Sequence, residues 1–223
     1  MSVSTSARRS FMTGIGAALA AFGVGRGSAS AQGAAPFTPL KHPEDDWYDA
    51  RPARHRSVID AASAGSPPDA LRFASNLFTA NASGYGLKDE DLGIIIVLRH
   101  SATMFGFNDG IWAKYGELLA KRGNLVDPDT KQPPKRNIYR LAAGQEARGN
   151  TIDSMAKRGV LFAVCGTATR GLAGMLATET NGNQDAIYKE ITSDPIPSGR
   201  FVPAGVLAVN RAQERGYSLI FAG

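Results

Sequence analysis

A chain of 223 residues, 43% hydrophobic and 20% charged, can bury one substantial core without help from disulfides or metals. A single cysteine excludes an intramolecular disulfide, Cys-rich zinc sites and Cys-X-X-Cys redox motifs, and the three histidines His42, His55 and His100 show no metal-ligand spacing. The net charge of +5 is no argument for a nucleic-acid partner: the first 31 residues hold Arg8, Arg9 and Arg26 and no acid, and without them 22 basic residues face 20 acidic ones.

The first 31 residues hold Ser6-Ala-Arg-Arg-Ser-Phe-Met12, a mildly apolar stretch from Ile15 to Val24, and Ala29-Ser30-Ala31. Paired arginines, a short apolar segment and an A-x-A site predict a twin-arginine signal peptide over 1–31. Cleavage after Ala31 would leave the mature protein in the periplasm. The apolar stretch is too short for a stable membrane span, which needs ~20 residues, and no other run is long enough. Residues 32–55 contain Pro36, Pro39, Pro43 and Pro52 and the acidic run Glu44-Asp45-Asp46. That composition predicts an extended N-terminal arm.

From residue 56 to 223 strands alternate with helices. A first strand over Ser57–Ala62 leads through Gly-Ser-Pro-Pro to a helix with Asp69 as its cap and Leu71, Ala74, Leu77 and Phe78 on one face. Leu92–Leu98 is apolar throughout, the pattern of a strand buried on both faces of a parallel sheet. A helix from about Asp109 carries Ile111, Trp112, Tyr115, Leu118 and Leu119 at helical spacing. The polar, proline-rich stretch 124–150 is an insertion. Two readings stand for it: a lid, in which Arg136, Tyr139 and Arg140 reach over the sheet edge, or a merely mobile insertion. A short helix over Thr151–Arg158 feeds a second apolar strand, Val160–Val164. The remaining elements are a helix from Thr167 or Thr169, a short helix over Asp185–Ile191, a strand at Arg200, a helix over Val206–Arg215 and a last strand over Tyr217–Phe221. The pattern predicts a doubly wound, mostly parallel α/β sheet of about five strands with helices on both faces.

The only cysteine falls at the join of the second apolar strand and its helix. Ligands of open α/β sheets bind at this carboxyl edge, and a helix N-terminus there favours a thiolate. Cys165 is thus the candidate nucleophile; the other reading is a small buried apolar residue. His100 ends the neighbouring strand and is a possible proton-shuttling helper. Ser101 and Asn108 are polar candidates at the same edge. Gly166, Thr167 and Thr169 supply helix-start N–H groups for an anion, and Arg170 lies one turn further on. The glycines Gly166, Gly171 and Gly174 match neither dinucleotide nor Walker spacing, so no nucleotide or other cofactor is expected.

The block Ala156-Lys-Arg-Gly-Val-Leu-Phe-Ala-Val-Cys-Gly-Thr-Ala-Thr-Arg170 resembles a segment of the DsrE/DsrF-like superfamily of sulfur-handling proteins. Ile96-Val-Leu-Arg-His100, Phe201-Val-Pro-Ala-Gly-Val206 and Arg211-Ala-Gln-Glu-Arg-Gly-Tyr-Ser-Leu-Ile220 resemble three more of its blocks, in the right order, over Ser57–Gly223. The resemblance implies a flavodoxin-like domain, a homo-oligomer, and persulfide sulfur carried on Cys165 between a donor and an acceptor protein. The export signal, the 124–150 insertion and Ser101 in place of a glycine depart from the family pattern. Two functions follow: a sulfur carrier of the envelope, or a non-catalytic oligomeric binding or accessory protein using the same pocket. Without a resolving cysteine, thiol–disulfide oxidoreductase ranks third.

Overall fold

The computed structural model describes residues 38–140 and 150–223. The predicted signal peptide and the start of the arm lie outside the described residues, as does 141–149 of the insertion. Five strands, β1 (His55–Ala61), β2 (Leu92–Leu98), β3 (Leu161–Cys165), β4 (Gly199–Val202) and β5 (Ser218–Ala222), form one sheet in the order β4-β3-β2-β1-β5. Every pairing is parallel. All seven residues of β2 are buried at the sheet centre, as their unbroken apolarity requires.

The order of the strands explains where the helices go. From β1 to β4 the chain steps outward in one direction. Right-handed crossovers therefore put α1 (Pro67–Tyr85), α2 (Asp109–Gly123), α3 (Ile152–Lys157), α4 (Gly166–Thr180) and α5 (Gln184–Ser193) on one face. The return from β4 to β5 runs the other way and places α6 (Gly205–Glu214) on the opposite face. Side chains divide accordingly: Ile94, Ile96 and Leu98 enter the thick layer, while Ile95 and Val97 meet α6. Helices do flank both faces, but five against one. Among the described residues no helix is long and apolar enough to cross a membrane.

The thin face gains cover from a segment the composition assigns to an extended arm. Pro43–Asp49 is instead a 3-10 helix. Its Tyr48 is buried; the hydroxyl donates to Ala208 O at 3.1 Å, and the Tyr217 hydroxyl donates to Tyr48 O at 2.6 Å. Burial raises the pKa of both tyrosines, so they stay neutral donors. Proline and acid content masked the aromatic pair Trp47-Tyr48, which provides the apolar anchor.

One helix start differs from expectation, and one helix has no counterpart in it. Ser66, not Asp69, precedes α1, with Pro67 in its first turn and Asp69 paired to Arg72 at 2.8 Å. A 3-10 helix of seven residues, His100–Gly106, links β2 to α2; it is too short for a periodic pattern to reveal.

Across the thick face, Arg158 grips Asp89 through two hydrogen bonds of 2.7 and 2.9 Å and lies over the Phe78 ring. The Arg158 hydrogen bonds hold the Asp89 carboxyl below its ordinary value of 3.8. A depressed carboxyl contributes stability above its unfolded pKa and loses it as pH falls through the folded one. Asp89→Asn should therefore cost about 0.2–1 kcal/mol at pH 7, the scale of a partly exposed pair. Urea titrations of wild type and variant should keep that gap down to the ordinary value of 3.8 and close it below.

Candidate active site at the carboxyl edge of the sheet

β3 passes into α4 with no intervening loop. Cys165 itself is the N-cap: its Sγ accepts the Ala168 N–H at 3.4 Å. Neither threonine caps the helix. Thr169 is fully buried and donates its hydroxyl to Cys165 O at 2.8 Å, which fixes the strand end. Thr167 spends both its N–H and its hydroxyl on Pro203 O. Gly166 is needed for close approach: a methyl there would lie 2.7 Å from Val202 O. Gly166, Thr167 and Thr169 thus shape the turn beneath the sulfur, and the Thr167 N–H is not free for an anion.

The thiol's charged neighbour comes from another strand. In β3, alternation turns Ala163 and Cys165 toward the α6 face. On that face Asp60 of β1 is 6% exposed overall. Arg99, the first residue after β2, donates Nε and Nη2 to its two carboxylate oxygens at 2.7 and 2.8 Å. A methyl at Gly205, the first residue of α6, would lie 2.4 Å from Arg99 Cβ and 3.3 Å from Cys165 Cβ. Both side chains therefore sit under the first turn of α6. The Asp60 hydrogen bonds raise the Arg99 pKa above its ordinary value, against desolvation, and the Coulomb fields of Asp60 and Cys165 add to the rise. Cys165 is 7% exposed. Gly205→Ala should cost about 1–3 kcal/mol by overpacking and lift α6 off the thiol. Denaturant titration and faster alkylation of Cys165 would register the two effects.

The other candidates stand elsewhere. His100 is exposed, has φ 52° and shares a 3.3 Å hydrogen bond with Ser101 Oγ, which itself reaches Ala62 O at 3.4 Å. No hydrogen bond joins His100 to Cys165. The left-handed backbone turns the chain into the 3-10 helix at this position, so ending the neighbouring strand does not pair the imidazole with the sulfur. Asn108 caps α2, accepting from Ile111 N at 3.0 Å and donating to Asp194 O and Oδ2 at 2.6 and 2.8 Å. It borders a separate cavity of about 510 Å³ with Asp109, Arg140 and Glu190. Arg170 pairs with Asp185 and lies over the Tyr188 ring, because its side of α4 faces α5. The arginine whose stem shares the first turn of α6 with Cys165 is Arg99, and its guanidinium is turned to Asp60.

The described part of the insertion is pinned to α2 rather than arched over the thiol. Asn137 is buried and donates to Phe105 O and Phe107 O at 2.7 and 3.1 Å. Arg140 pairs with Asp109 and Asp153, and Arg136 with Asp127 and Asp129 within its own loop. Tyr139 packs on Phe105.

Fold and site together define an all-parallel α/β protein with a cysteine at the carboxyl edge of its sheet and an Asp–Arg pair beside it. No family model matches the chain, and no curated protein matches it. The DsrE/DsrF-like resemblance thus rests on the four sequence blocks.

Proposed function

We propose that the chain is an exported, DsrE-like sulfur carrier of the bacterial envelope that holds sulfane sulfur on Cys165. The observation that carries this reading is the place of the sulfur: Sγ stands at the carboxyl edge of the sheet and accepts a helix-start N–H at 3.4 Å. That edge is where open α/β sheets bind their ligands, so a sulfur fixed there is placed to meet a donor and an acceptor. The thiolate attacks the outer sulfur of a donor persulfide and forms a new S–S bond as the donor leaves as thiolate. An acceptor thiolate then attacks the same outer sulfur and releases Cys165. No electrons are gained or lost overall. The expectation of a homo-oligomer belongs to this reading. Leu219 and Phe221 support it: they are exposed on one face of the edge strand β5.

Incubation with glutathione persulfide followed by intact-mass measurement tests the carrier role. Wild type should gain one sulfur; Cys165→Ser, with unchanged circular dichroism, should gain none. Equal gain by both proteins would sink the idea. The low exposure of Cys165 and its service as a helix cap support a second reading, a non-catalytic binding or accessory protein. On that reading iodoacetamide labels Cys165 only after unfolding, and the donor adds no sulfur.

A further inference from the structure

The two edges of the sheet are built differently. β4 is guarded: it spans four residues, carries Arg200 and runs into Pro203. β5 has no such guard. From Tyr217 to Gly223 the chain holds no charged side chain and no proline, and among the described residues β5 pairs with β1 alone. Its outer N–H and C=O groups are therefore an open template for another strand. Register sets Leu219 opposite Val58 and Phe221 opposite Asp60, so both side chains stand on the α6 face, where they are 46% and 61% exposed. Leu207 and Arg211 of α6 line a cavity of about 170 Å³ together with Phe201 and Val202 of β4. Helical spacing puts Val206 and Val209 on the opposite side of α6, toward β5. The open edge thus borders an apolar strip, not a polar rim.

We infer that β5 is a strand-pairing edge and that its occupant is β5 of a second copy, antiparallel about a two-fold axis through Ile220. The order of residues in the strand argues for a copy. That axis sets Leu219 opposite Phe221 of the second copy, Ile220 opposite Ile220, and Ser218 opposite Ala222. Each large side chain meets a large one and each small one a small one, and the two α6 helices stay on the same side of a sheet that runs through both copies. The neighbouring two-fold registers are poorer. An axis through Leu219 leaves Phe221 facing the buried Tyr217, and an axis through Phe221 leaves Leu219 facing Gly223. The main chain supplies the affinity and the Leu219–Phe221 pairs fix the register. The oligomer expected with the carrier reading gains a definite face here, yet pairing through β5 needs no sulfur on Cys165 and is tested apart from it.

Sedimentation velocity of the purified protein over a range of concentrations tests the pairing, with two double variants beside wild type. Leu219→Lys/Phe221→Lys sets like charges opposite each other across the axis, and Leu219→Glu/Phe221→Lys sets opposite charges there. Both positions are exposed, so circular dichroism should match wild type. Wild type should dimerise. The first variant should raise the dimer Kd at least about tenfold over wild type, and the second should bind about tenfold tighter than the first. Equal Kd values for the two variants overturn the two-fold axis through Ile220. A dimer that neither variant weakens places the contact elsewhere and overturns the proposal. A wild type that stays monomeric overturns the second copy as occupant and leaves the edge to the residues before Thr38 or to a foreign strand. Hydrogen exchange of wild type at low and high concentration serves if a variant misfolds. Amides of Ser218–Ala222 should slow as concentration rises, and exchange there that ignores concentration overturns the pairing.

Discussion

Arg99→Ala should destabilise the protein by about 3 kcal/mol, the low end for breaking a buried ion pair. Asp60→Ala should cost much less, about 1 kcal/mol. The asymmetry follows from exposure. Removing Arg99 strands a carboxylate whose side chain is 8% exposed between β5 and β2, with Val58 and Val97 as near neighbours on that face. Removing Asp60 frees the guanidinium of a side chain that is already a quarter exposed and can turn its head to water on a flexible stem. Urea denaturation of the two single variants and of Asp60→Ala/Arg99→Ala measures the difference. The double variant should be more stable than Arg99→Ala alone, because it leaves no orphaned charge. If Asp60→Ala proved the costlier single change, the carboxylate would not be the buried member of the pair.

The Asp60–Arg99 pair is legible in the sequence. Asp60 is the only acid in an otherwise apolar strand end, Val58-Ile-Asp-Ala-Ala62. An acid placed there must find a partner, since a buried unpaired charge is too costly to keep. Arg99 ends the strongest strand of the chain, and parallel pairing of β1 with β2 sets Ala61 opposite Leu98, one residue from each partner. Pairing the two apolar strands and looking for the partner of Asp60 would have found Arg99. The exposure of His100 is not legible: its positive φ has no sequence signature in a non-glycine residue. The cap of α4 was obscured in a similar way. Threonine is the usual cap, and only the absence of any loop between β3 and α4 gives that place to Cys165. The sheet itself was plain, because apolar runs such as Leu92–Leu98 and alternating elements are dictated by burial on both faces.

Trp112→Ala should cost about 3–5 kcal/mol, a large part of the 5–15 kcal/mol typical of a domain. Trp112 is fully buried, stacks on Phe105 with ring centroids 5.6 Å apart, and donates Nε1–H to Met104 O at 3.2 Å. Truncation leaves a cavity and a buried carbonyl without its donor, two penalties at one position. The loss is also directional. Met104 and Phe105 belong to the 3-10 helix His100–Gly106, which starts one residue after Arg99. Gly106 of that turn sits so close to β3 that a methyl there would meet Val164 at 2.5 Å. Trp112 therefore clamps the turn that joins the end of β2 to the rest of the thick face. Amide hydrogen exchange of Trp112→Phe, which keeps most of the volume but not the N–H, separates the clamp from the cavity. Exchange should quicken across His100–Gly106 while the centre of β2 stays protected. Uniform acceleration over the whole sheet would instead mean that Trp112 supports global stability alone and does not hold the turn beside Arg99.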